Sequence, residues 1–168
     1  AFMRFRSVMA AAAKHAVLML LCAAAALMCL CSCGEQLPSP KASEIVDAIL
    51  ASQTEGEEFT AASDEEIEII FGCDIQNYSD VEVMYATDAG FADVIAVFKS
   101  ADDDAQTETQ QLLNDFLKKR HDDFAGYAPQ EVKKIDASSV ITYGSYDVLV
   151  ILSDFDAAKD AVDALFKS

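Results

Sequence analysis

The spacing of apolar residues divides the chain into helix-like and strand-like runs. Ser63-Asp64-Glu65-Glu66 is a capping box, in which the Ser63 hydroxyl accepts an orphan amide and Glu66 reaches back to the cap. Ile67, Ile70 and Phe71 follow at helical spacing, and Gly72 is the stop. A longer helix opens at Ser100-Ala101-Asp102-Asp103. It carries Ala105, Leu112, Leu113, Phe116, Leu117 and Phe124 at helical intervals through Tyr127, until Pro129 ends it. Ser153 caps a C-terminal helix whose buried stripe is Phe155, Ala158, Val162, Leu165 and Phe166. An earlier stretch, Ser43 to Ser52, presents Ile45, Val46, Ile49 and Leu50 in the same rhythm.

Four β-type runs lie between the helices: Val81 to Ala86, Val94 to Phe98, Val140 to Tyr143, and Tyr146 to Leu152. The second and fourth are apolar on both faces, which places them at the centre of a sheet or under cover on both sides. Tyr143-Gly144-Ser145-Tyr146 is a two-residue hairpin signal, and the segment around Asp88-Ala89-Gly90 suits a second hairpin. The expected fold is α+β: an antiparallel four-stranded sheet of two β-hairpins, packed against a long helix and a C-terminal helix, with N-terminal helices before it.

Charge then separates the first 32 residues from the rest. The chain has 168 residues, 12 basic and 29 acidic, for a net charge of −17, yet 52% of it is hydrophobic. No acidic residue precedes Glu35, and the leader holds only the bases Arg4, Arg6 and Lys14. Without residues 1–32, 9 basic residues face 29 acidic ones, a net charge of −20. The basic start followed by the uncharged run Ala16 to Leu30 is signal-peptide anatomy, too short for the roughly 20 apolar residues a permanent span needs. Ala1 is not Met, and Met3 and Met9 are the candidate starts.

Leu30-Cys31-Ser32-Cys33-Gly34 resembles the bacterial lipobox, with Leu three residues before Cys33, the small Ser32 just before it and Gly34 after it. Cys33 is therefore the expected lipid attachment site, and Cys31 occupies a position where a small or β-branched residue is more usual. A diacylglyceryl group, with each buried methylene contributing about 0.8 kcal/mol, would hold stably in a leaflet. The chain divides into a lipoprotein signal peptide (1–32), a lipidated cysteine and tether (33–41), and an acidic α+β domain (42–168). Fully extended, the eight residues from Gly34 to Lys41 reach roughly 26 Å. At −20, the domain should not lie flat on anionic lipid.

From about Lys41 onward the chain resembles a family of small Gram-positive lipoproteins known only as domain of unknown function 4358. The resemblance is carried by Ser43 to Leu50, Ile70-Phe71-Gly72-Cys73-Asp74 and Ala92 to Lys99. Further on it rests on Phe124, Tyr127, Pro129 and Glu131-Val132-Lys133-Lys134. It implies a surface lipoprotein with an α+β fold and brings no activity with it. In that family the Cys73 position is usually aliphatic, which argues against a reactive thiol.

The remaining chemistry is sparse. A metal cluster of Cys29, Cys31 and Cys33 lacks a downstream ligand pair, since only Cys73 and His121 follow. His121 reads as a surface side chain between Lys118-Lys119-Arg120 and Asp122-Asp123. Ser145 lacks the G-x-S-x-G elbow of a hydrolase, and HExxH, Walker A and GxGxxG patterns do not occur. Asp102-Asp103-Asp104 and Asp154, Asp156 and Asp160 sit at helix starts, where carboxylates favour the macrodipole, and neither follows the EF-hand loop. Tyr78, Tyr85, Tyr127, Tyr143 and Tyr146 could build a recognition face or simply pack the sheet and turns. So acidic a domain would repel nucleic acid.

No catalytic residue, cofactor or metal site is expected. The expected function is an extracytoplasmic binding or interaction module, held to the cell membrane by its lipid and open to an unknown protein or cationic ligand. A structural lipoprotein of an envelope complex and a carboxylate-dependent envelope hydrolase are the alternatives.

Overall fold

A computed structural model describes residues 38–167; the signal peptide and Cys33 lie outside that range. The elements are α1 (Ala42–Ser52), β1 (Phe59–Ala61), α2 (Asp64–Phe71), β2 (Tyr78–Ala86), β3 (Val94–Ser100), α3 (Asp103–Phe124), α4 (Pro129–Asp136), β4 (Ser139–Tyr143), β5 (Tyr146–Ile151) and α5 (Phe155–Phe166). The strands form one antiparallel sheet in the order β1-β2-β3-β5-β4. Both expected hairpins are present, with Gly144 at φ 57 in the tight turn. The sheet has five strands rather than four, because Phe59–Ala61 pairs with the end of β2. Among the described residues no helix is long and apolar enough to cross a membrane.

Alternation along the central strands explains the layers. On β3, Ile95 and Val97 face one side and Val94, Ala96 and Phe98 the other; on β5, Val148 and Val150 oppose Leu149 and Ile151. The first side packs against α1 and α5 through Ile45, Ile49, Ala158 and Val162. The second is covered by α2, α3 and α4 through Ile67, Phe71, Leu113, Phe124 and Ile135. Every residue from Ala92 to Phe98 is shielded from solvent, as a strand covered on both faces requires.

The helix termini follow local chemistry, with corrections. Ser63 and Glu66 form the expected box and Gly72 adopts φ 69, a left-handed stop. The long helix begins two residues later than its first serine suggests: Asp102 caps it, accepting from the Ala105 amide at 2.9 Å, while Ser100 ends β3 with its hydroxyl 3.2 Å from Thr109. Asp154, not Ser153, caps α5. The long helix ends at Phe124, and Pro129 opens α4, where its missing amide is no loss at the first helical position.

The chain enters the fold along a fixed path. The Tyr146 hydroxyl donates to the Pro40 carbonyl at 2.6 Å and lies 3.0 Å from Ser39 Oγ, which also receives Lys99 Nζ at 2.7 Å. Asp80 Oδ2 accepts the Ala42 amide at 2.7 Å. Tyr146 is 3% exposed and lies edge-on to Phe166.

Candidate functional site

An open apolar surface lies between α2 and α3. Ile69-Ile70-Phe71 turns through more of the helix than a core-facing stripe can cover, so part of it must face water. Phe71 turns inward against Phe98 and Phe116, at centroid distances of 5.2 and 4.7 Å. Ile70 remains 41% exposed and Ile69 75% exposed. Ile70, Phe71, Leu112 and Phe116 floor an open groove of about 480 Å³, edged by Glu108, Gln111, Asp115 and Lys119. Its neighbour, a cavity of about 240 Å³, shares Ile70, Phe71 and Phe116 and adds Val83, Tyr85, Val94 and Arg120.

Charge around this surface is one-sided. On α2 stand Asp64, Glu65, Glu66 and Glu68; on α3 stand Asp103, Asp104, Glu108 and Asp115, with no base before Lys118. The basic run is split by the helix. Lys118 and Lys119 point outward and pair with Asp122 and Asp123 at 2.9 and 2.5 Å. Arg120 instead turns inward, donating to the Phe91 carbonyl at 3.1 Å and lying 4.8 Å from the Phe124 ring. Burial lowers its pKa.

Beneath Arg120 lies an ionic cluster that the sequence did not mark. Lys134 Nζ contacts Asp93 Oδ2 at 2.5 Å and Glu131 Oε2 at 2.9 Å, and Glu131 Oε2 also accepts the Ala92 amide at 2.8 Å. Burial opposes the charge on Lys134, but its two carboxylate partners outweigh it and raise the ammonium pKa. Burial likewise pushes Glu131 up, yet the Ala92 amide, Lys134 and Arg120 bring it below the ordinary value. The cluster ties α4 to the β2–β3 loop. The one signal for it was Lys134 falling one turn after Glu131.

The other singled-out residues do not converge. His121 sits on α3 with Nε2 3.6 Å from Asp136 Oδ1, outside the groove. Ser145 is exposed in the β4–β5 turn. Cys73 is half-buried, and burial pushes its thiol up, away from the reactive thiolate. Tyr143 and Tyr146 pack toward α5, Tyr78 and Tyr85 toward α2 and α3, and Tyr127 is 64% exposed, so the tyrosines share no face. Asp102 and Asp154 are occupied as helix caps. Among the described residues no three His, Cys, Asp or Glu side chains come together as a metal-binding group.

No curated protein and no solved structure is significantly similar to the chain. A family match spans residues 52–152, which takes in α2, α3 and the whole sheet but stops short of most of α1 and all of α5. Over those residues the chain matches the Domain of unknown function (DUF4358), and it belongs to that family.

Proposed function

We propose that this protein is a lipid-anchored extracytoplasmic binding module whose α2–α3 groove takes an apolar segment with basic flanks from a partner protein. The anchor reading rests on the leader composition and on Leu30-Cys31-Ser32-Cys33-Gly34. The binding reading is carried by one observation: Ile70 lines an open apolar groove between two acidic helices and, with its neighbour Ile69, stays exposed to water. Contiguous exposed apolar surface costs solubility and marks interaction sites. The carboxylates around it select the sign of the partner's charge and speed the encounter.

The probe is an amphipathic Lys/Leu peptide, with a Glu/Leu peptide of the same length as the control. The first should bind and the second should not, and binding should weaken as salt shortens the range of the charges. Ile69→Glu with Ile70→Glu should abolish binding while leaving the thermal transition close to wild type, since both side chains face water. Undiminished binding by that double variant would sink the groove as the site.

A further inference from the structure

The strands run between two ends of the domain. At the near end β3 finishes and β5 begins, with Lys99 opposite Tyr146. At the far end Val94 lies opposite Ile151, and the loop 87–93 joins β2 to β3. The fixed path of residues 39–42 is at the near end, made by Tyr146, Lys99 and Asp80. Tyr146 cannot swing away to release it, because its ring is held against Phe166 and under Lys99 Nζ, 5.0 Å from the centroid. The cavity that continues the groove is lined by Tyr85, Ala86, Thr87, Ala89 and Val94, all from the far half of the sheet and its loop.

We infer that Tyr146 and Lys99 form a tether clamp that points the near end of the domain at the lipid surface and the cavity mouth away from it. The inference rests on the lipid anchor at Cys33 proposed above. Six Cα steps separate Cys33 from Ser39, at most about 20 Å of extended chain. That is shorter than the span of the whole segment to Lys41, because the clamp takes up its last residues. From Lys99 to Val94 the strand rises a further 17 Å or so, at about 3.4 Å per residue. The leash is therefore close to the height of the sheet, so the near end can reach the headgroups readily and the far end only by turning the domain over. The cavity is thus met on the side away from the membrane, and the groove runs from it back toward the near end, where Glu108 and Leu112 flank Thr109 beside Ser100.

The test uses full-length, lipidated protein in mixed phosphatidylcholine and phosphatidylglycerol vesicles that carry a headgroup-linked acceptor dye. In a Cys73→Ser background, a donor is placed on Ser145→Cys at the near end or Asp88→Cys at the far end. Energy transfer should be several-fold stronger from position 145. Tyr146→Phe with Lys99→Ala, which keeps the ring in the core but removes the bonds to Ser39 and Pro40, should make the two positions alike. Equal transfer from both positions in the clamped protein, with acyl label present on Cys33, would overturn the orientation and leave the anchor standing. Absence of acyl label on Cys33 would overturn the anchor and the orientation together.

Discussion

Asp147 is the least accommodated side chain in the described fold. It is 0% exposed and lies on β5 under the first turns of α3. Oδ1 accepts from Thr142 at 2.6 Å and Gln110 at 3.1 Å, while Oδ2 has no hydrogen-bond partner among the protein atoms, the nearby Gln106 amide being donated to the Gly144 carbonyl. Among the described residues no cation faces it, and burial raises its pKa above 3.8. A carboxyl whose folded pKa is raised binds its proton more tightly when folded. Stability therefore falls as pH rises from about 3.8 through the folded value, and the penalty is complete above it. Asp147→Asn should stabilise the domain by about 1 kcal/mol at neutral pH, with the gain vanishing in acid. Urea denaturation at both pH values measures it, and a gain that persists below pH about 3.8 would contradict the assignment. In sequence, Asp147 alternates with Tyr146 and Val148, a pattern that put it on a sheet face without saying that α3 would close over that face.

At the scale of elements, α4 is docked by a charge cluster as well as by Ile135 and Val132. Its buried residues are Glu131 and Ile135, and its link to the sheet runs through Lys134 to Asp93, whose side chains are 12% and 5% exposed. Removing one partner of a buried pair strands the other charge and costs about 3–5 kcal/mol. Lys134→Ala should lose stability on that scale, and Asp93→Asn in the same background should restore part of it. A loss no larger than that of an exposed ion pair would show that the cluster is solvated after all. The helices that were legible in the sequence have local punctuation, as with Ser63, Glu66 and Gly72, where cap and stop lie within the element they define. Those that were missed have signals that depend on context. Pro129 can end one helix or begin the next, and it begins α4, because α3 had already stopped at Phe124. Phe59–Ala61 has too few residues for a period and becomes a strand only because the end of β2 offers an unpaired edge. The groove was not read from the sequence: Ile67, Ile70 and Phe71 fell on one helical rhythm, and only packing shows that Phe71 turns inward while Ile70 stays 41% exposed.

At the scale of the molecule, the few bases of the acidic domain are mostly committed to its own carboxylates. Lys118, Lys119, Lys134, Lys159 and Lys167 all form ion pairs within it, and Asp163 alone takes two of them. The surplus negative charge is left for the surroundings, which is why salt should govern partner binding more than it governs the fold. The strand order has a kinetic consequence. β2 with β3 and β4 with β5 are each joined by short connections, so both hairpins can form from neighbouring chain before either knows of the other. The seam between β3 and β5 joins segments separated by α3 and α4, and its closure must wait for the loop entropy of that whole stretch. Gly144→Ala, which strains a turn at φ 57, should slow refolding, whereas Val162→Ala in the α1–α5 layer should mainly speed unfolding. Both variants acting on the unfolding limb alone would contradict that order. A chain released as an unfolded thread would then assemble as two independent halves and commit to its native state in a single late closure between its two most buried strands.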